Sequence, residues 1–73
     1  MIRKRSISLN GHATSVSLED EFWRELQRIA KAEEIPLSAL VARIDAARVG
    51  ENLSSSLRLA VLADLRERPV SRA

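Results

Sequence analysis

Residues 5–18, Arg5-Ser6-Ile7-Ser8-Leu9-Asn10-Gly11-His12-Ala13-Thr14-Ser15-Val16-Ser17-Leu18, decide how this chain folds. Both central positions of a type I′ turn need positive φ, which Asn tolerates and Gly adopts freely, so Asn10-Gly11 predicts a hairpin. Its facing residues are then Leu9 and His12, Ser8 and Ala13, Ile7 and Thr14, Ser6 and Ser15, Arg5 and Val16, and Lys4 and Ser17. Facing residues share a side of the sheet. Ile7, Leu9, Val16 and Leu18 therefore fall on one face, and Lys4, Ser6, Ser8, Ala13, Ser15 and Ser17 on the other. The turn residues and the period-two alternation are independent signals, and they agree on which face meets the core.

Beyond the hairpin the apolar period changes. Phe22, Leu26 and Ile29 recur at helical spacing, widened by Trp23 and Ala30. Ser17 is the expected N-cap, Glu19, Asp20 and Glu21 suit the positive end of the helix, and Glu25 with Arg28 and Asp20 with Arg24 are expected to pair. Pro36 disfavours helical geometry at Ile35, so this helix should end near Glu33 or Glu34. A second helix is expected from Pro36, with the stripe Leu37, Leu40, Val41, Ile44 and Ala47, and Gly50 should stop it. Asn52 or Ser54 then caps a third helix reaching about Arg66. That helix carries Leu53, Leu57, Val61 and Leu65 on one side, and Leu59 and Leu62 broaden its apolar face, which predicts burial on more than one side. The reading is one domain over residues 1–68 with a frayed tail at 69–73.

A 73-residue chain buries only about 60% of the surface it exposes unfolded. Such small cores usually need a disulfide, a metal or a partner chain. With no Cys and only His12, neither a disulfide nor a thiolate zinc site can form. Self-association is the remaining support. Ser6 to Ser17 holds no apolar run of the roughly 7–15 residues a secretory signal needs, and no segment approaches the roughly 20 of a membrane span. Absence of Cys suits a reducing compartment. The expectation is a cytoplasmic protein with no membrane partner.

The formal net charge is only +2, but it is unevenly spread. Residues 1–18 carry Arg3, Lys4 and Arg5 against no acid, whereas residues 19–34 hold six acids and three bases. One face of the molecule is thereby expected to be positive. Arg3, Lys4 and Arg5 are candidates for phosphate contacts or, alternatively, edge-strand charges that block aggregation. Ser6, Ser8, Ser15 and Ser17 suit nucleic acid or any half-exposed sheet. His12 beside the turn reaches a phosphate or serves the turn. Asp45, Arg48, Asn52 and Arg58 read as caps and ion pairs between the second and third helices, and Phe22 and Trp23 as apolar anchors. There is no nucleophile and base motif, glycine-rich phosphate loop or metal spacing, so no enzyme activity and no cofactor are expected.

One alternating strand followed by two helices resembles the ribbon-helix-helix superfamily of bacterial repressors, the Arc and MetJ type. Arg5-Ser6-Ile7-Ser8-Leu9, Gly11-His12, Thr14-Ser15-Val16-Ser17-Leu18-Glu19, Phe22-Trp23, Leu40-Val41, Ile44-Asp45, Asn52-Leu53-Ser54-Ser55 and Leu57-Arg58 resemble a bacterial family of small ribbon-helix-helix domains with an added third helix. The resemblance spans about residues 3–65. It implies a mainly α fold with an N-terminal β-hairpin or ribbon, an intertwined homodimer with three helices per chain, and a dimer core of Val16, Leu18, Phe22, Trp23, Leu40, Val41 and Ile44. It further implies a transcriptional regulator whose ribbon strand, Ala13 to Leu18, presents Ala13, Ser15 and Ser17 to duplex DNA. A phosphate would sit at the second helix N-terminus near Leu37, Ser38 and Ala39.

Two features weigh against base readout. Ala and Ser offer no bidentate fork, and a dimer bringing two hairpins makes a four-stranded sheet, wider than the major groove. The alternative is a protein-interaction module, an adaptor or antitoxin-like dimer that uses the third helix or the sheet face.

Overall fold

The computed structural model describes residues 1–50 and 52–67. The turn forms as its residue types require, with φ of 53° at Asn10 and 82° at Gly11. It joins β1 (Ile2–Leu9) to β2 (His12–Glu19) in a two-stranded antiparallel sheet. Every cross-strand pair expected from the turn is present, from Leu9 with His12 to Lys4 with Ser17, and the ladder continues through Arg3 with Leu18 and Ile2 with Glu19.

Three helices follow: α1 (Asp20–Ala32), α2 (Leu37–Ala47) and α3 (Leu53–Glu67). The chain is thus mainly α with an N-terminal hairpin. All three helices pack on one another, α2 also lies against β1, and α1 and α3 lie against β2. Val16, Leu18, Leu26, Ile29, Ala30, Leu40, Val41, Leu57 and Val61 are buried between these elements.

Several helix ends differ from the sequence reading. Strand pairing persists through Glu19, so Ser17 stays in β2 and the N-cap position falls to Glu19, whose side chain makes no capping bond. Asp20 forms its ion pair with Arg5 rather than with Arg24, while Glu25 and Arg28 pair as expected. At the other end of α1, Ile35 N–H donates to the Ala30 carbonyl and Glu34 N–H to the Lys31 carbonyl. This is a Schellman motif, and Glu34 takes its left-handed position with φ of 59°.

Pro36 caps α2 from outside rather than occupying its first turn. The helix stops at Arg48, which is already extended with ψ of 146°, two residues before Gly50. Asn52 is the cap of α3: its Oδ1 accepts the Ser55 N–H at 2.8 Å. Of the apolar residues on α3, Leu57 and Val61 are buried, but Leu59, Leu62 and Leu65 remain exposed. The chain alone therefore does not use the full breadth of that helix. The expected domain end at 68 and the tail at 69–73 lie outside the described residues.

Candidate nucleic-acid interface

The β1–β2 hairpin has two unlike faces. Val16 and Leu18 on the inner face are sealed against the helices, whereas Lys4, Ser6, Ser8, Ala13, Ser15 and Ser17 on the outer face are all exposed. Short side chains at Ser6, Ser8, Ala13, Ser15 and Ser17 leave a flat, hydroxyl-rich surface beside Lys4, with the Ile2–Glu19 pair at its helix end. Strand alternation produced it, because each inner residue forces its neighbours outward.

The same alternation divides the basic cluster. Lys4 is on the outer face, while Arg3 and Arg5, opposite Leu18 and Val16, point to the helix side. Arg5 Nη2 donates to Asp20 Oδ1 at 2.6 Å, and Arg3 Nε lies 3.6 Å from the same oxygen. The Arg5 guanidinium also stacks over the Trp23 ring, 4.8 Å from its centroid. Its Nε is buried and has no acceptor. Arg5 thus ties β1 to α1, and Arg3, with 62% of its side chain exposed, is the more available of the two. The hydrogen bond from Arg5 is the main cause holding the Asp20 carboxyl below its ordinary pKa, with smaller help from the nearby Arg3 and Arg24 charges.

His12 is exposed at the hairpin tip but shares the Leu9 side, not the hydroxyl face. Ser38 is exposed in the first turn of α2. Ala39 and Leu40 both donate to the Pro36 carbonyl, at 3.0 and 3.2 Å, so Leu37 and Ser38 supply the remaining amides of the expected phosphate site. No acidic side chain occupies that turn.

The base of the hairpin is closed by contacts that sequence reading did not bring together. Ser17 N–H donates to Ser54 Oγ at 3.1 Å, and Arg58 Nη2 donates to the Ser17 carbonyl at 3.2 Å. Arg58 Nε also donates to Glu19 Oε1 at 3.2 Å. The Glu19 carboxyl is lowered from its ordinary pKa first by its own backbone N–H and then by Arg58. Arg58 therefore binds α3 to β2, while Arg48 pairs with Asp45 across the end of α2.

Of the residues expected in a dimer core, Val16, Leu18, Leu40 and Val41 are already buried by their own chain. Phe22, Trp23 and Ile44 are half-buried and pack against that core. Among the described residues, no group of three or more His, Cys, Asp or Glu side chains is placed to hold a metal, and no helix is long and apolar enough to cross a membrane.

This arrangement, an antiparallel ribbon leading directly into packed helices, agrees with comparison by sequence: a family model described as the ribbon-helix-helix domain matches residues 2–65. The chain belongs to the ribbon-helix-helix family. Domains of this family are typically regulatory rather than enzymatic, and they typically dimerise and bind DNA as transcription regulators or antitoxins. No characterised protein and no solved structure gives a significant match. In this ribbon-helix-helix chain, the strand entering α1 already has a partner, β1, from the same molecule.

Proposed function

We propose that this ribbon-helix-helix chain is a homodimeric regulator that binds duplex DNA with the outer face of its hairpin. The observation supporting this reading is the composition of that face: Lys4, Ser6, Ser8, Ala13, Ser15 and Ser17 are all exposed, and the acid at its helix end, Glu19, is already held by Arg58. Serine hydroxyls donate to phosphate oxygens, and Lys4 displaces counterions. Arg3 and the Leu37 and Ser38 amides add contacts at the periphery. The outer face carries no forked side chain to distinguish bases, and the Arg3 guanidinium lies on the helix side beside Asp20, so phosphates set the affinity and sequence preference is shallow.

The test is fluorescence anisotropy with a labelled duplex across a salt series. Binding at low salt should weaken as salt rises, each phosphate neutralised adding about 0.9 to the slope of log K against log salt. Lys4→Ala, present in both copies, should reduce that slope by up to about 2. Absence of binding to any duplex at low salt would sink the reading.

One observation favours the alternative, a protein-interaction module: Leu59, Leu62 and Leu65 are exposed along α3. Isolated apolar residues are common on surfaces, but a series on one helix suits a protein contact. A tagged copy that retains a second protein only while Leu59 and Leu62 are intact, and binds no DNA, would favour this reading.

A further inference from the structure

We infer that two copies join through the free edge of β1, in an antiparallel register centred on Ser6, and not through β2, the strand that enters α1. This rests on the homodimeric reading above and specifies its geometry.

The argument starts from where backbone groups point. Next to a two-residue turn, Leu9 and His12 form a hydrogen-bonded pair, and such pairs alternate along an antiparallel ladder. The N–H and C=O groups of Lys4, Ser6 and Ser8 on β1, and of Ala13, Ser15 and Ser17 on β2, therefore point away from the hairpin. On β2 the series is interrupted: α3 occupies both backbone groups of Ser17 through Ser54 and Arg58. On β1, no residue of another element hydrogen-bonds to Lys4, Ser6 or Ser8 among the described residues. Only the β1 edge offers an uninterrupted row.

Burial points the same way. On the inner face, Val16 and Leu18 of β2 are 2% and 0% exposed, while Ile7 and Leu9 of β1 remain half-buried. Across from them on β2, Thr14 is half-buried and His12 exposed, so the core is complete under the base of the hairpin and open under its tip, where both apolar side chains belong to β1. A strand added beyond β1 would cover the apolar side chains that the chain itself leaves open.

Charge and the length of strand paired then select the register. Centring on Arg5 would oppose Arg5 to its own copy, and centring on Lys4 would oppose lysine to lysine, both unfavourable. Centring on Ser6 opposes Lys4 to Ser8, Arg5 to Ile7 and Arg3 to Leu9 of the second copy. Each cation then meets a neutral residue, and Lys4, Ser6 and Ser8 exchange backbone hydrogen bonds with the partner strand. Centring on Ile7 or Ser8 also avoids like charges, but it sets Lys4 or Ser6 against the turn residue Asn10 and so pairs a shorter length of strand. In the registers centred on Lys4 and Arg5 the same cations act as the guard against edge pairing that charged strands commonly provide.

The resulting sheet has the order β2, β1, β1 and β2, with the outer serines of both hairpins on one surface. At about 4.8 Å between strands it spans about 14 Å, against a major groove of about 12 Å. Such a sheet rests across phosphates and does not enter the groove, consistent with an outer face that carries no forked base-reading side chain.

Because the chain has no cysteine, single-cysteine variants test this directly. Ser6→Cys should oxidise to a covalent dimer, since an opposed pair on adjacent strands lies at about 5.5 Å between Cα atoms, within disulfide range. Ser15→Cys, on the β2 edge, should stay largely monomeric on a non-reducing gel. Cross-linking of Ser15→Cys at an equal or greater rate overturns the inference, as does failure of Ser6→Cys to cross-link, whether sedimentation then shows a dimer or a monomer. The unsubstituted chain, whose outer face is intact, is titrated with duplex alongside. If it does not bind, the interface stands and the DNA reading fails alone.

Discussion

Arg5 Nη2 and Asp20 Oδ1 meet at 2.6 Å, linking the middle of the first strand to the first turn of α1. The contact holds the Asp20 carboxyl below its ordinary pKa, which gives it a defined pH signature. A carboxylate whose folded pKa is depressed contributes stability above its unfolded value, about 3.9 for Asp, and loses it as pH falls through the folded value. Asp20→Asn should therefore melt below the wild type at neutral pH. The difference should hold down to about pH 5 and close below about pH 4. Thermal melts of both proteins between pH 7 and pH 2 check this, and a difference that persists undiminished at the acid end would show that the ion pair is not its source.

Glu34 sits in the left-handed position of the Schellman motif, where an L side chain costs on the order of 1 kcal/mol and glycine costs little. Glu34→Gly should raise stability by about 0.5–1 kcal/mol, part of the relief being offset by the greater freedom of glycine in the unfolded chain. For a domain of this size that is a few degrees in Tm. A lower Tm would mean that the glutamate makes a compensating contribution.

How legible these features were in the sequence depends on their range. The hairpin register was fully readable, because Asn10-Gly11 and the alternation of Ile7, Leu9, Val16 and Leu18 are local and mutually consistent. The same alternation also carried the separation of Lys4 from Arg3 and Arg5, but treating the three cations as one run obscured it. The helix ends were less readable. Ser17 is a good cap by type, but β2 pairing extends past it, and the left-handed Glu34 has no signal in a residue that rarely adopts that geometry. Closure of the β2 edge was invisible, since Ser54 and Arg58 meet Ser17 only after α3 folds back across the intervening chain.

Asn52 accepts the Ser55 N–H and so satisfies one of the free amides at the start of α3. Asn52→Ala should cost about 1 kcal/mol, with a range of about 0.5–2. Ser54→Ala removes a different bond, the one that closes β2 at Ser17, and should cost about 1 kcal/mol. The two residues serve different partners, so their costs should be close to additive in the double variant. Urea melts of both single variants and the double variant measure this. A strongly non-additive result would mean that α3 capping and strand closure form one cooperative unit.

Lys4 and Arg5 are sequence neighbours on opposite faces, and they should separate stability from DNA binding. Arg5 stacks on Trp23 and binds Asp20, so Arg5→Ala should lower stability, the stacking alone being worth about 0.5–1 kcal/mol. Its charge is already engaged by Asp20, so the salt slope of DNA binding should change little. Lys4 stands among serines on the exposed face, so Lys4→Ala should leave Tm nearly unchanged while weakening binding and flattening the salt dependence. The measurement is paired: a thermal melt and an anisotropy salt series for each variant. If Arg5→Ala flattens the salt slope as much as Lys4→Ala does, Arg5 must leave Asp20 when DNA binds, and the inner face of the ribbon takes part in the contact. If Lys4→Ala changes neither affinity nor slope, the hydroxyl face is not where DNA lies.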